Sequence, residues 1–110
     1  MIALEKRLAI KASLNSIQKE LEALDLWSDG KNAPDKSAYK STTPFYLDTM
    51  EFHQWLEFVL IPRMNQLLLQ DGNLPENVNI HPYAQEIYRG KWQEYKELIT
   101  KLREFDKLFN

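Results

Sequence analysis

The central part of the chain carries four side chains of the kinds that acid/base chemistry and anion binding use: Asp48, Glu51, His53 and Arg63. Asp48 and Glu51 are three residues apart, which suits an acid/base pair and equally suits a reciprocal cap at a helix N-terminus. We expect the cap, because it explains both residues with fewer assumptions. A small-ligand binder or hydrolase built on these four residues is therefore the last of three functional hypotheses.

Two further polar residues bear on metal binding. His53 and Glu57 are four residues apart, a spacing that a helical metal pair would have. Both fall off the apolar stripe of their segment, so a solvent-facing polar pair is the preferred interpretation. His81 has a ready role at a helix start, and we expect Arg63 to pair with Asp48, Glu51 or Glu57. The sequence predicts no catalytic, metal or cofactor site.

The elements that must position these residues are helical. An apolar stripe with alternating spacings of four and three predicts a first helix from about residue 2 to 26. Its members are Ile10, Leu14, Ile17, Leu21 and Leu24, with Leu4 and Leu8 widening it. Residues 28–43 then form a turn-rich connector that begins with Ser28-Asp29-Gly30, and a pinned loop and a floppy one are equally compatible with its composition.

The central helix should begin after Asp48 or Thr49. An apolar face covers more than half its girth and places it in the middle of a bundle. The face consists of Phe52, Leu56, Val59, Leu60, Met64, Leu67 and Leu68, flanked by Trp55 and Phe58. Pro62 lies inside this run, where a proline costs about 3 kcal/mol unless the helix distorts, so we predict a kink there.

Two more helical segments complete the chain. A short helix starts at His81-Pro82 and ends before Gly90. A last apolar stripe runs to the C-terminus through Trp92, Tyr95, Ile99, Leu102, Phe105 and Phe109. The sequence therefore predicts an all-α fold: a single domain over residues 1–110, an antiparallel bundle of three main helices plus a short one.

Composition excludes several classes of protein. The chain has 110 residues, 0 cysteines and a net charge of −2. Without cysteine there are no disulfides, thiol nucleophiles or thiolate-bound metals. The near-neutral balance does not predict DNA binding, and no apolar stretch suggests a signal peptide or a membrane span. We expect a cytoplasmic protein.

One long motif is more specific. The runs Ser41-Thr42-x-Pro44-Phe45, Asp48-Thr49-Met50-x-Phe52 and Trp55-Leu56-x-Phe58-Val59-Leu60-Ile61-Pro62-Arg63-Met64 resemble the bacterial YqcC-like family. Leu74-Pro75 and Ile80-x-Pro82-Tyr83-Ala84-x-Glu86 extend the resemblance. It implies a small cytosolic helical bundle, associated by gene neighbourhood and naming with tRNA pseudouridine synthase C. The chain itself is too small and too helical to supply the mixed α/β scaffold and catalytic Asp of that enzyme.

Aromatic residues supply the leading functional hypothesis. We expect Trp27, Tyr46, Trp55 and Tyr83 to be partly exposed, as tyrosine and tryptophan are in binding hot spots. The candidate interaction surface comprises Phe45, Tyr46, Asp48, Trp55, Arg63 and Tyr83. The first hypothesis is accordingly a protein-interaction module, with a tRNA pseudouridine synthase among its possible partners. The second is an RNA-binding accessory that uses Lys6, Arg7, Lys11 and Lys19 of the first helix. Self-association stays open.

Overall fold

Four helices and their connections form the fold, which a computed structural model describes from residue 2 to 110. Helix α1 spans Leu4–Ala23, α2 spans residues 52–70, α3 spans His81–Ile87 and α4 spans Trp92–Lys107. Short 3-10 turns at Lys36–Lys40 and Pro44–Tyr46 lie in the connection between α1 and α2. Residues 2–110 contain no strand, so the prediction of an all-α bundle with three main helices and a short one is confirmed. No helix within residues 2–110 combines the length and the apolar character that crossing a membrane requires.

The core forms where the predicted stripes meet. Ile10, Leu14, Ile17 and Leu21 of α1 are buried, as their spacing predicts. They pack into one cluster with residues of α2 and α4, of which Leu56, Leu98, Leu102 and Phe105 are fully buried. Leu4 and Leu8 are exposed, and the prediction that they widen the stripe is wrong. At 3.6 residues per turn both side chains point well away from the buried face.

Helix α2 is irregular just before its proline. It consists of α-helical Phe52–Trp55, a π-helical turn at Leu56–Leu60 and α-helical Ile61–Gln70. The backbone N–H of Ile61 donates to the Leu56 carbonyl, five residues back. A proline lacks an N–H and crowds the preceding turn, and a widened turn accommodates it. The distortion predicted at Pro62 therefore takes the form of a π turn.

The start of α2 differs from the prediction. Glu51 is the N-cap, and its backbone N–H donates to the Gln54 side-chain oxygen over 2.8 Å. The Tyr46 carbonyl accepts the N–H groups of Thr49 and Met50, at 3.0 and 2.9 Å. Residues 47–50 thus belong to the preceding turn, and the expectation that Asp48 or Thr49 caps the helix is wrong.

The connector after α1 is pinned to α2. Glu57, on the π turn, is only 5% exposed. Its two carboxylate oxygens accept the backbone N–H and hydroxyl of Ser28 and the N–H of Gly30, at 2.8–2.9 Å. The prediction of a solvent-facing Glu57 is therefore wrong. A side chain off the apolar stripe is buried here because the connector folds over it and supplies three donors.

A second buried carboxylate fixes the start of α3. Asp106, on α4, is 2% exposed. Its Oδ2 atom accepts the backbone N–H groups of Ile80 and His81 and contacts the His81 ring nitrogen Nδ1 at 2.7 Å. His81 does begin a helix, as predicted, but the carboxylate that satisfies this helix start comes from the far end of the chain.

Candidate interaction surface

An aromatic cluster forms around a turn with unusual backbone geometry. Phe45 and Tyr46 both have positive φ angles, 57° and 52°. Side chains other than glycine rarely adopt this left-handed conformation, above all when they are bulky. The turn places the centroid of the Phe45 ring 4.8 Å from that of the Trp55 ring, which is nearly perpendicular to it, and 4.7 Å from that of the Tyr83 ring. Three residues of the predicted surface are thus in direct contact.

Tyr46 and Arg63 form a second pair beside the cluster. Arg63 Nη2 donates to the Tyr46 hydroxyl over 2.9 Å, and its guanidinium lies 5.9 Å from the ring centroid. The expected ion pair with Asp48, Glu51 or Glu57 does not form within residues 2–110. Arg63 and Tyr46 both belong to the predicted interaction surface, but Arg63 contacts the tyrosine and not a carboxylate.

Asp48 closes the turn instead of facing Arg63. Its carboxylate accepts a hydrogen bond from the Ser41 hydroxyl, and the Thr43 backbone N–H donates to that same hydroxyl. The hydrogen bond from Ser41 holds the pKa of Asp48 below its ordinary value. Asp48 therefore supports the turn that carries Phe45, and it contributes to the surface through that turn.

A groove of about 410 Å³ runs between this turn and the corner that joins α3 to α4. Leu47 and Ile87 are exposed at its walls, and Tyr83 is 47% exposed one helical turn before Ile87. The groove is lined by Leu26, Leu47, Met50, Glu51, Phe52, His53, Ile87, Tyr88, Arg89, Lys91 and Tyr95. Its lining thus combines apolar walls with three charged side chains.

Two stacked tyrosines make one side of the groove rigid. The Tyr88 and Tyr95 rings are 3.9 Å apart and nearly parallel. Burial raises the pKa of the Tyr88 phenol above its usual range, and the neighbouring Tyr95 and Glu51 add to the effect. Tyr88 is only 9% exposed, so in this aromatic wall the half-buried Tyr95 offers more contact area to a partner than Tyr88 does.

The four residues of the hydrolase hypothesis do not converge on one pocket. Glu51 and His53 line the groove, whereas Asp48 is bonded to Ser41 and Arg63 to Tyr46. The His53 Nδ1 atom is buried and has no hydrogen-bond partner among residues 2–110. Among residues 2–110, no three histidine or carboxylate side chains are close enough together to hold a metal ion. The geometry gives the hydrolase hypothesis no support.

Three of the four basic residues of α1 are engaged within the molecule, whereas Lys19 is exposed. Arg7 donates to the Leu68 carbonyl and to Asp71, Lys11 donates to Asn65, and Lys6 lies over the Phe109 ring. These contacts reduce the cationic surface that α1 offers to RNA.

One exposed aromatic residue was missed by the sequence reasoning. Trp92 was assigned to the apolar stripe of the last helix, yet its side chain is 56% exposed. It shares a helix face with Lys96 and Arg103, which lie four and eleven residues after it. A helical spacing that groups Trp92 with two cations was the signal that could have predicted its exposure. Of the residues expected to be partly exposed, Tyr83 is exposed, while Trp27, Tyr46 and Trp55 are half-buried, as predicted.

Comparison with known proteins gives three relatives. A family model, DUF446, described as tRNA pseudouridine synthase C, matches residues 9–108. An uncharacterized protein of Haemophilus influenzae is 35% identical over 100 residues, which is 91% of this chain and 92% of that protein. Protein YqcC of Escherichia coli is 30% identical over 91% of this chain and 90% of its own length. The YqcC solution structure matches with a TM-score of 0.82 and 29% identity, covering 94% of this chain and 87% of that one.

The third relative is a much longer protein. A tRNA pseudouridine synthase C of Pectobacterium carotovorum is 37% identical over 68 residues. That stretch is 62% of this chain but only 18% of the synthase. A segment similar to this chain is therefore part of a larger polypeptide that carries the synthase name.

Proposed function

The chain belongs to the DUF446 family, and from that premise we propose that it is a protein-interaction module that docks onto a tRNA pseudouridine synthase. The module contributes binding rather than catalysis. The observation that carries the proposal is the strained turn at Phe45 and Tyr46, which holds an aromatic cluster beside a partly apolar groove.

Backbone strain supports a functional role for this turn. A residue other than glycine in a left-handed conformation costs on the order of 1 kcal/mol, and it persists only where the surrounding structure enforces it. Such residues cluster at ligand clamps and binding sites. Here two neighbouring residues bear the cost, and Asp48 and Ser41 brace the turn that contains them.

The partner is chosen from the third relative. In Pectobacterium a similar segment is part of a longer polypeptide named tRNA pseudouridine synthase C. Covalent joining keeps two modules at a high effective concentration, so a weak docking contact between them is sufficient. Where the module is a separate chain, a surface of its own must supply the affinity. The groove and its aromatic wall are the surface that suits this role.

The groove also indicates what the partner segment should look like. Its apolar walls suit one or two apolar anchors on a helix or loop, as in helix-in-groove recognition. Lys91 lies on one side and Glu51 on the other, which favours a segment with an acidic residue next to the anchor, whereas Arg89 already pairs with Glu86. Exposed Leu47 and Ile87 should carry much of the binding energy, because a partner would desolvate them.

The direct test is calorimetric titration of the chain with purified tRNA pseudouridine synthase C from the same organism. Leu47→Glu and Ile87→Glu each place a charge in the groove, and each should weaken binding at least tenfold. Leu69→Glu is the matched control, since Leu69 is 87% exposed and lies outside the groove lining. It should bind like the unmodified chain.

Three results would overturn the proposal. These results are no association between the unmodified chain and the synthase, normal binding by both groove variants, or loss of binding by Leu69→Glu alone. The last result would indicate that the synthase docks at the exposed Leu8 and Leu69, between α1 and α2. Thermal unfolding of every variant confirms that the fold is retained, and sedimentation of the chain alone tests whether a second copy occupies the groove instead.

A further inference from the structure

The outward face of α4 carries a stripe of cations and one aromatic ring. Its residues follow one another at spacings of four, four, three and four, which places them within about 80° around the helix. They are Trp92, Lys96, Thr100, Arg103 and Lys107. The acidic residue Glu94 falls on another face of the same helix, whereas Glu97 and Glu104 border the stripe, three residues before Thr100 and Lys107 respectively. A chain with net charge −2 therefore concentrates three positive charges on one face.

The three cations of this stripe are not used by the fold. Lys96, Arg103 and Lys107 are exposed, and none takes part in an ion pair with another described residue. The cations of α1 differ, since Arg7 and Lys11 are hydrogen-bonded to residues in or next to α2. Charges that do not stabilise the fold are available to an anionic ligand.

Trp92 is exposed but fixed. Its indole Nε1 donates to the Gln85 carbonyl over 2.9 Å, which ties the ring to α3. A cavity of about 370 Å³ adjoins the ring and is lined by Gln85, Trp92, Lys96, Ile99, Thr100 and Arg103. The ring is thus held in place at the edge of a cavity that two of the three cations also border.

We propose that this face binds a short single-stranded segment of nucleic acid. One base stacks on Trp92 while Lys96, Arg103 and Lys107 contact successive phosphates. From Trp92 to Lys107 the face extends about 22 Å along the helix, which suits a short extended strand. An aromatic platform beside a row of cations is how proteins hold single strands, whose bases offer free faces for stacking.

Other anionic partners fit the face less well. A duplex keeps its base faces stacked and would use the cations alone. A membrane surface would call for several apolar side chains next to the cations, and Trp92 is the one exposed large apolar residue of α4 within the described chain. The proposed strand site shares no lining residue with the docking groove, so it does not depend on the synthase proposal.

The test is fluorescence anisotropy at low salt with a labelled oligoribonucleotide of about eight nucleotides. Binding should weaken as salt rises, with a log–log slope of about −2 for three phosphate contacts. Trp92→Ala should weaken binding about five- to a hundredfold through loss of stacking. Lys96→Glu and Arg103→Glu should each weaken it and flatten the salt slope, whereas Lys31→Glu, on the exposed connector, is the charge-matched control.

Each outcome decides the matter. No binding at low salt, or equal losses with Lys31→Glu and Lys96→Glu, overturns the proposal. Tighter binding of duplex RNA, or binding only to phosphatidylserine vesicles, overturns it as well. The same oligonucleotide made of DNA identifies the source, because equal affinity means a general single-strand site and weaker affinity means RNA. If Trp92→Ala unfolds, Trp92→Phe is used in its place, because it keeps an aromatic ring and should retain binding. Lys96→Glu and Arg103→Glu change exposed side chains, so these variants should keep the fold and still test the site.

Discussion

Glu57 and Asp106 are both buried carboxylates that hold a distant part of the chain, yet they use their oxygens differently. Both oxygens of Glu57 accept hydrogen bonds, and all donors come from Ser28 and Gly30. Asp106 places its three contacts on Oδ2, and its buried Oδ1 has no partner among the described residues. Position 57 therefore requires two acceptor oxygens, whereas one well-placed acceptor oxygen would serve at position 106.

The two carboxylates also support different walls of the candidate surface. Glu57 pins the connector against the π turn of α2, which follows directly after Trp55. Asp106 sets the start of α3, which carries Tyr83 and Ile87 into the groove region. Substitutions at these two positions therefore test how strongly each carboxylate holds its part of the chain.

The largest effect is expected from Asp106→Ala. It leaves the N–H groups of Ile80 and His81 without an acceptor inside the protein and opens a small cavity. We expect a loss of about 3–5 kcal/mol in the free energy of unfolding. Urea denaturation measures it, with Glu104→Ala on the exposed face of the same helix as a control that should change stability by less than about 0.5 kcal/mol. A loss below 1 kcal/mol would mean that α3 is held by packing alone.

The next largest loss of stability is expected from Glu57→Gln, which tests the difference between Glu57 and Asp106. The amide has one oxygen, so its NH₂ group must face the N–H of Ser28 or of Gly30, donor against donor. We expect a loss of about 2–3 kcal/mol. Asp106→Asn should cost less, about 1 kcal/mol, because its oxygen can still accept the backbone N–H groups of Ile80 and His81 and its NH₂ takes the place of Oδ1, which has no partner among the described residues. If the two amide variants were equally unstable, the distinction between these carboxylates would be lost.

The smallest effect concerns the turn that carries Phe45. Ser41→Ala removes the hydrogen bond that lowers the pKa of Asp48, so this pKa should rise toward its ordinary value of 3.8. A lowered pKa in the folded state means a stabilising contribution that is present above the unfolded pKa and is lost as pH falls through the folded one. NMR titration of the Asp48 carboxyl resonance measures the shift. An unchanged pKa would show that the Ser41 contact does not control this carboxylate.

The fold was largely predictable because apolar periodicity records burial directly. The stripe Ile10, Leu14, Ile17 and Leu21 is buried as predicted, and Pro62 does coincide with a helix distortion. Helix starts were harder to place. A turn with two left-handed residues carries no glycine signal, so the sequence did not show that the chain would still be turning at Met50.

The contacts of the candidate surface were only partly predictable, and its role in binding stays a prediction. Aromatic residues near one proline-bounded turn were expected to gather, and Phe45, Trp55 and Tyr83 do. The partners of the polar residues depend on which loops fold over them, and this is not visible in helical spacing. For that reason Arg63 bonds Tyr46 instead of a carboxylate, and Glu57 is buried.

The sequence by itself determined the helices, their buried faces and the position of the distortion, because each follows from residues within a few turns of one another. Only the tertiary structure decided the roles of the polar side chains. Glu57 meets Ser28 and Asp106 meets His81 across 29 and 25 residues of chain. Such long-range contacts are set by how the helices pack, and packing also left Trp92 and its neighbouring cations facing outward.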